Sequence, residues 1–230
     1  MRLLVSWLRD FVDVRAPAED IAERLGLRGF EVASIETFGA GDAVIDFEVT
    51  ANRPDCLSVL GLAREVATIY NLPLTLPTSS PGPPDAKVAL KPLATGASDQ
   101  LAVTIEDPEL CPRYAAAVAE VTVGASPPWM TARLQAAGIR PISSIVDLTN
   151  YVLIELGQPM HAFDLTKLAG SEIRIRRAKP AEALVTLDGA ERKLDSDMLV
   201  IADRDRAQAV AGVMGGATSE VSSGTRQVVF

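Results

Sequence analysis

The residue with the widest chemical use in this chain is its single histidine, His161. An imidazole titrates near neutral pH and can bind a metal, move a proton or orient a water molecule. Because there is only one, a histidine-rich zinc site is excluded, and a Ser/His/Asp triad could use His161 alone. His161 follows a Gly-Gln-Pro turn in the segment GQPMHAFD. A histidine in such a loop can instead be a hydrogen-bonded structural residue.

Three polar side chains near His161 in the sequence need secondary structure to position them. Asn150 lies inside an apolar run, whose spacing predicts a central helix, buried on most sides, from about residue 142 to residue 156. An amide in such a helix can satisfy neighbouring backbone groups or face a ligand. Asp147 and Asp164 could form a carboxylate pair, although we expect capping and turn roles for both.

A cluster of glycines follows later in the chain. The segment AGVMGGATSEV, residues 211–221, places Gly212, Gly215 and Gly216 close together. Glycine permits a positive φ, a bulge or the close approach of another group to the backbone. The pattern therefore predicts either a turn or a wall against which a ligand could lie, and the sequence leaves both interpretations open.

The charge of the chain limits its contacts with nucleic acid. The formal net charge is −8. At physiological salt such a chain repels a phosphate backbone beyond a Debye length of about 8 Å, so extensive nucleic-acid binding is disfavoured and only a local contact is expected. The basic cluster is Arg174, Arg176, Arg177 and Lys179. It could supply a small phosphate contact, but we expect it to be the solvated face of a strand.

Cysteine usage and hydropathy bear on the compartment. Cys56 and Cys111 are too few and too far apart for a CxxC metal or redox motif, so we predict reduced thiols. The N-terminal segment is interrupted by Arg9 and Asp10 and has no small-residue cleavage site, unlike a signal peptide. No apolar run reaches the ~18 to 20 residues that cross a membrane. We expect a cytoplasmic protein without membrane contacts.

The succession of patterns predicts an α+β protein of two domains. Residues 1–76 have the pattern of a small N-terminal α/β domain, and residues 77–92 form a proline-rich linker. Residues 93–230 combine helices with short strands and an Asp-Gly hairpin turn, which predicts a mixed strand and helix domain. No GxGxxG motif follows a strand, so a Rossmann unit is not indicated.

Three features of the first domain are predicted in more detail. Residues 44–50 alternate apolar and polar side chains, as in a half-buried strand. A helix is expected from Cys56 to about Tyr70, with Asp55 as its cap. The segment 37–43 contains two glycines and can hold a turn but no further domain.

Several blocks of the sequence resemble the beta subunit of bacterial phenylalanine–tRNA ligase. They are VTANRPDCLSVLGLAREVA from residue 49, the segment 139–164, and AGVMGGATSEV from residue 211. The N-terminal MRLLVSWLRDFVDV is also similar to the start of that subunit. The resemblance implies a role in charging tRNA with phenylalanine, in a heterotetramer of two alpha and two beta subunits with the synthetic site on alpha. It implies ATP and magnesium for the complete enzyme, and no cofactor bound by this segment.

The resemblance also implies a site. A pocket for phenylalanine rejects tyrosine only in part, so the family hydrolyses tyrosyl-tRNA in an editing domain, which corresponds here to the second domain. By motif match, the catalytic residues near the 3' end of the tRNA would be His161 and Asn150. Gly212 and Gly215 would form the substrate-binding wall, and no metal ligand is implied.

The sequence departs from the family in three respects. Ser143 and Ser144 replace two asparagines common in the family, and a tRNA-binding barrel usual in the family is missing at 37–43. The chain also stops at Phe230, before an acidic residue associated with recognition of the tyrosine hydroxyl. We therefore expect a fragment with an incomplete editing domain that lacks most contacts to the alpha subunit, and an unpaired apolar edge at 228–230. The alternative is a non-catalytic tRNA- or protein-binding module related to that of a lysidine synthetase.

Overall fold

The computed structural model describes residues 1–76 and 99–230, so the predicted linker at 77–92 lies outside the described residues. Helices and antiparallel strands are mixed along the chain, which confirms the α+β prediction. The chain forms two compact units. The first combines Met1–Leu93 with Ser126–Pro159, and the second combines Ala94–Ala125 with Met160–Phe230. Residues 126–159, which we expected in the second domain, thus pack with the first unit.

The first unit contains a three-stranded antiparallel sheet of order β1-β3-β2. Its strands are β1 (Arg2–Leu4), β2 (Glu31–Phe38) and β3 (Asp42–Glu48). Gly39 and Gly41 join β2 to β3 with φ of 58° and 99°, a conformation that favours glycine. The short turn predicted for this segment is therefore confirmed.

Five helices complete the first unit. They are α1 (Val5–Arg9), α2 (Ala18–Gly26), α3 (Val59–Tyr70), α4 (Pro128–Ala136) and α5 (Ser144–Leu156). The predicted cap of α3 was wrong: Ser58 accepts the hydrogen bond from Gly61 N at 3.0 Å, and Asp55 lies in a preceding 3₁₀ turn. This turn presses its Asp55 carbonyl onto Gly61, where no Cβ would fit. Within the described residues, no helix is long and apolar enough to span a membrane.

Helix α5 is not the mainly apolar central helix that the sequence predicted. It buries Asp147, Tyr151 and Glu155, while Leu153 and Leu156 remain 37% and 42% exposed. The apolar spacing predicted the wrong buried side of α5. Polar side chains that have hydrogen-bond partners can be buried at little cost, and this helix buries several of them.

Two of these polar side chains, Tyr151 and Glu155, are connected by hydrogen bonds to α4 and α1. Glu155 Oε1 accepts hydrogen bonds from Trp7 Nε1 and from the Tyr151 hydroxyl, both at 3.0 Å. Arg133 donates to the Tyr151 hydroxyl at 2.8 Å and to Asp10 at 2.6 Å. Burial raises the pKa of Tyr151, so its hydroxyl stays protonated and able to donate. This network explains why residues 126–159 belong to the first unit.

The second unit consists mainly of short strands. They are β4 (Ala102–Ile105), β5 (Val118–Glu120), β6 (Phe163–Asp164), β7 (Glu172–Arg177), β8 (Ala183–Val185), β9 (Glu191–Lys193), β10 (Leu199–Ala202), β11 (Ala207–Val210), β12 (Met214–Gly215) and β13 (Gln227–Val229). Five of them form a sheet of order β12-β11-β10-β7-β4, in which only the β4 and β7 pair is parallel. Strands β5, β13 and β6 form a second sheet, and β8 pairs with β9 across the predicted Asp-Gly turn.

The final strand is not the unpaired apolar edge predicted from the sequence. Strand β13 lies between β5 and β6 and pairs with both in antiparallel register. Val228 and Val229 are fully buried, and Phe230 exchanges backbone hydrogen bonds with Ala117. The apolar residues are covered because strands distant in sequence supply partners on both sides of β13.

The basic cluster is a solvated face only in part: Arg174 and Arg177 are 40% and 43% exposed, whereas Arg176 departs from the prediction. Arg176 has a side-chain exposure of only 7% and makes two hydrogen bonds of 2.8 Å to Glu182. Arg177 pairs with Asp107 at 2.6 Å, and Arg174 pairs with Glu172. Carboxylates from neighbouring segments therefore offset the charge of the arginines in this cluster.

We predict that the Arg176 and Glu182 pair makes the second unit sensitive to acid. Hydrogen bonds from Arg176 hold the pKa of Glu182 at about 2, below its ordinary value of 4.5. A depressed carboxyl pKa contributes stability that is present above pH 4.5 and lost as the pH falls toward 2, here up to about 3 kcal/mol. Glu182→Gln should flatten this part of the curve of unfolding free energy against pH. Glu191→Gln, on the exposed strand β9, is the control and should leave the slope unchanged.

We also predict that Tyr151→Phe destabilises the first unit. The change leaves Glu155 without one of its two donors and Arg133 without one of its two acceptors, at a cost of about 1–3 kcal/mol. Tyr70→Phe is the matched control, because it removes one hydrogen bond to Asp20 at a partly exposed position. Denaturant unfolding should show a clearly larger loss for Tyr151→Phe, and equal losses would contradict the importance of the network.

Candidate functional site

His161 lies in the second unit, two residues before the buried Phe163 of β6. The two rings meet edge to face, with centroids 4.5 Å apart. Burial lowers the pKa of the imidazole below its ordinary value of 6.5, so the ring is neutral at neutral pH. Neither ring nitrogen has a hydrogen-bond partner among residues 1–76 and 99–230. One nitrogen can therefore donate to a bound molecule and the other can accept from it.

Gly215 of β12 lies directly against this imidazole. A Cβ at position 215 would be 2.6 Å from His161 Nε2 and 3.2 Å from Leu187 Cδ1, which is closer than real Cβ contacts allow. Two of the residues predicted for the site, His161 and Gly215, are thus neighbours. Their functional roles stay predictions, and Leu187, which the sequence did not single out, contacts the same point.

The other two glycines of this segment have different surroundings. Gly212 has φ of 71° in the exposed turn between β11 and β12, and a Cβ there would meet no atom within 4 Å. The turn interpretation accounts for Gly212 fully. At Gly216, a Cβ would lie 2.6 Å from the Gln208 carbonyl oxygen and 2.7 Å from Leu184 Cδ1. Close packing inside the unit therefore requires glycine at position 216.

Asn150 belongs to the first unit, whereas His161, Gly212 and Gly215 belong to the second. It lies on α5 and is partly buried. Its side-chain amide has no hydrogen-bond partner in the described part of the chain, so nothing there holds it in a structural role. A catalytic role for Asn150 stays a prediction.

Asp147 and Asp164 serve as caps or turn residues, as predicted. Asp147 accepts hydrogen bonds from Ile142 N at 2.8 Å and from the Ser126 hydroxyl. Asp164 accepts from Thr166 N at 3.0 Å and from the Thr225 hydroxyl at 2.6 Å. Burial alone would raise the pKa of Asp164, but these hydrogen bonds outweigh it and lower the pKa. Both carboxylates thus have hydrogen-bond partners within their own units.

A group of potential metal ligands that the sequence did not reveal is formed by the 3₁₀ turn before α3 and by α3 itself. The ligand atoms of Asp55, Cys56 and Glu65 all lie within 4.8 Å of one another. The Arg53 guanidinium contacts all three, at 2.9, 3.0 and 2.6 Å. Burial raises the pKa of the Cys56 thiol to about 12, so it is not a thiolate ligand at neutral pH. The guanidinium supplies the positive charge that this group of side chains needs.

The second unit also has an open groove at one end of the sheet that contains β13. Its volume is about 520 Å³, and it is lined by Glu120, Val121, Thr122, Thr166, Arg226 and Gln227. His161 and Gly215 do not line it. The lining is more apolar than polar, and its two charged side chains, Glu120 and Arg226, have opposite signs, so it offers no pronounced preference for an anion or a cation.

We predict that Gly215→Ala displaces His161. The new methyl group would overlap the imidazole, so the ring or β12 must move. Because the chain has a single histidine, its Cε1–Hε1 NMR signal reports this position alone. The matched control is Gly224→Ala, where the nearest atom to a new Cβ is 3.7 Å away. A signal shifted in Gly215→Ala but not in Gly224→Ala is expected, and an unchanged signal would contradict the contact.

Comparison with known proteins gives a family for this chain. The family described as B3/4 domain matches residues 110–230, which is more than half of the chain. This match includes His161, Gly212 and Gly215, and it also spans Asn150 in the first unit.

Curated relatives match over most of the chain. The phenylalanine–tRNA ligase beta subunit of Anaeromyxobacter dehalogenans is 50% identical over 196 residues, which cover 85% of this chain and 23% of that protein. The corresponding subunit of Rhodopirellula baltica is 43% identical over 231 residues, covering 99% of this chain and 32% of that protein. The chain thus spans a third or less of the length of these relatives.

A solved structure is similar at a lower level. It is an N-terminal fragment of the phenylalanyl-tRNA synthetase beta subunit from Pyrococcus horikoshii, with 15% identity and a TM-score of 0.48. The match covers 100% of this chain and 66% of that one, and at this score it supports no argument. On the sequence matches alone, the chain belongs to the B3/4 domain family and is a homologue of phenylalanine–tRNA ligase beta subunits over most of its length.

Proposed function

We propose that this chain is part of a phenylalanine–tRNA ligase beta subunit and supports the attachment of phenylalanine to tRNA. The observation that carries the proposal is the 43% to 51% identity, over at least 80% of the chain, to relatives with that name. The chain spans only 22% to 32% of the length of these relatives. We therefore also propose, for the complete enzyme, that it uses ATP and magnesium, that it contains an alpha subunit as partner, and that it is cytoplasmic.

The second unit is proposed to take part in hydrolytic editing of tyrosyl-tRNA. A synthetic pocket for phenylalanine discriminates poorly against an added hydroxyl, so a second hydrolytic step is needed for accuracy. Two properties of the second unit support this role. Its single imidazole is neutral and has both nitrogens free of partners among the described residues, and Gly215 leaves the backbone bare beside it.

In this proposal His161 orients a water molecule or a hydroxyl of the terminal ribose near the ester. A neutral imidazole suits this task because it can donate one hydrogen bond and accept another. Gly215 leaves room for the imidazole against β12, and the Leu187 side chain packs at the same point.

The charges of the second unit support a contact limited to the 3' end of the tRNA. The arginines of β7 are paired with Glu172, Glu182 and Asp107, so these three side chains have little positive charge left for a phosphate. A net charge of −8 opposes a wide interface with RNA. The chain's binding would therefore depend on the terminal nucleotide and its amino acid.

We predict that His161→Gln, made in the beta subunit that contains this chain and is assembled with an alpha subunit, slows hydrolysis of tyrosyl-tRNA. Glutamine keeps hydrogen-bonding capacity but cannot reproduce the geometry of the ring, and a loss of at least about tenfold is expected. Charging with phenylalanine should continue at the rate of the unsubstituted assembly, because the synthetic site is proposed to lie on the alpha subunit.

The neighbouring, exposed Gln158→Ala is the control and should alter neither rate. Unchanged tyrosyl-tRNA hydrolysis in His161→Gln would refute the editing role. An assembly that fails to charge tRNA with phenylalanine would refute the ligase role.

A further inference from the structure

Gln208 is a fully buried amide on β11, with 0% exposure. Its Nε2 donates to Asp203 Oδ2 at 2.6 Å, and its Oε1 accepts from the Thr218 hydroxyl at 2.7 Å. Its backbone carbonyl accepts from Gly216 N at 2.7 Å. Gln208 thus bonds through its side chain to Thr218 and through its backbone carbonyl to Gly216, and both of these residues follow β12.

Asp203 provides a fixed anchor for this amide. It is 1% exposed and accepts hydrogen bonds from Ala169 N at 3.0 Å and from Asp205 N and Arg206 N at 2.8 Å each. These backbone donors come from two separate segments of the unit. Because Asp203 cannot shift without breaking several of these bonds, Gln208 connects Thr218 to a rigid point.

The position of strand β12 determines the contact with His161. Gly216 is pressed against the Gln208 carbonyl, and Gly215, the preceding residue, is pressed against the imidazole. Successive residues of an extended chain face opposite sides. Gly216 therefore contacts the Gln208 carbonyl on one side, and Gly215 contacts His161 on the other. A small movement of β12 would therefore change the contact between Gly215 and the ring directly.

We propose that Gln208 is a positioning residue, which fixes β12 through Gly216 and Thr218 and thereby sets the place of the His161 imidazole. Gln208 has no contact with the ring and acts only through Gly215. The positioning itself stands on the contacts described, and its consequence for hydrolysis rests on the proposed function.

The test uses the single histidine as a probe in the full chain, labelled with ¹³C-histidine. Thr218→Val removes one hydrogen bond of Gln208 at an exposed position and should leave the fold intact, whereas Thr218→Ser keeps the hydroxyl. Gln208→Met removes both side-chain hydrogen bonds at nearly constant length. We expect the Cε1–Hε1 signal of His161 to move in Thr218→Val, to move further in Gln208→Met, and to keep its wild-type position in Thr218→Ser.

A core substitution separates positioning from general destabilisation. Val200 is fully buried on β10, so Val200→Ala weakens the same unit without removing a hydrogen bond of Gln208. Its His161 signal should stay in place. The inference is overturned if Thr218→Val and a folded Gln208→Met both leave the signal unmoved, or if Val200→Ala moves it as much as they do.

Hydrolysis of tyrosyl-tRNA by the assembled enzyme is the second readout. Thr218→Val should reduce this rate by about tenfold, as expected for a misplaced reacting group, and Thr218→Ser should restore it. A wild-type assembly that hydrolyses no tyrosyl-tRNA refutes the editing proposal, while the NMR signal still decides whether Gln208 positions the ring. A shifted signal with wild-type hydrolysis overturns only the functional consequence.

Discussion

Strand β12 meets the imidazole of His161 through the bare backbone of Gly215. A protein interior is close-packed, so such a contact admits neither a methyl group nor a strand displaced by a fraction of an ångström. The chain supports this contact with a second one on the opposite side, where Gly216 meets the Gln208 carbonyl. The neutral state of the ring follows from the same packing, since burial there penalises the charged form.

Buried hydrogen-bonding groups add to the apolar clusters that hold both units together. In the first unit, Glu155 and Tyr151 join α5 to α1 and α4, which brings residues 126–159 into a unit with the N-terminal segment. In the second unit, Asp203 and Gln208 play a similar part. A buried carboxylate or amide is tolerated only when its partners are fixed, so these residues determine which segments must fold together.

The electrostatics of the second unit also depend on pairing. Arg176 and Glu182 are both nearly buried and neutralise one another, and Arg177 is held by Asp107. Three of the four basic residues at positions 174–179 are thus paired, which leaves strand β7 with little free positive charge. For a protein proposed to handle tRNA, this pairing favours a contact confined to the 3' end over a broad basic surface.

The sequence by itself determined the α+β class, the turn at Gly39 and Gly41, the single imidazole and the family, because each depends on residue type or short-range spacing. It did not determine the burial of Arg176 or the pairing of β13, and it assigned Asn150 and His161 to one domain. Tertiary structure decided these points, since the partners of a polar side chain or a strand come from segments distant in sequence. The contact between Gly215 and His161 is of the same kind. The motifs suggested both residues, but only the folded strands bring them together.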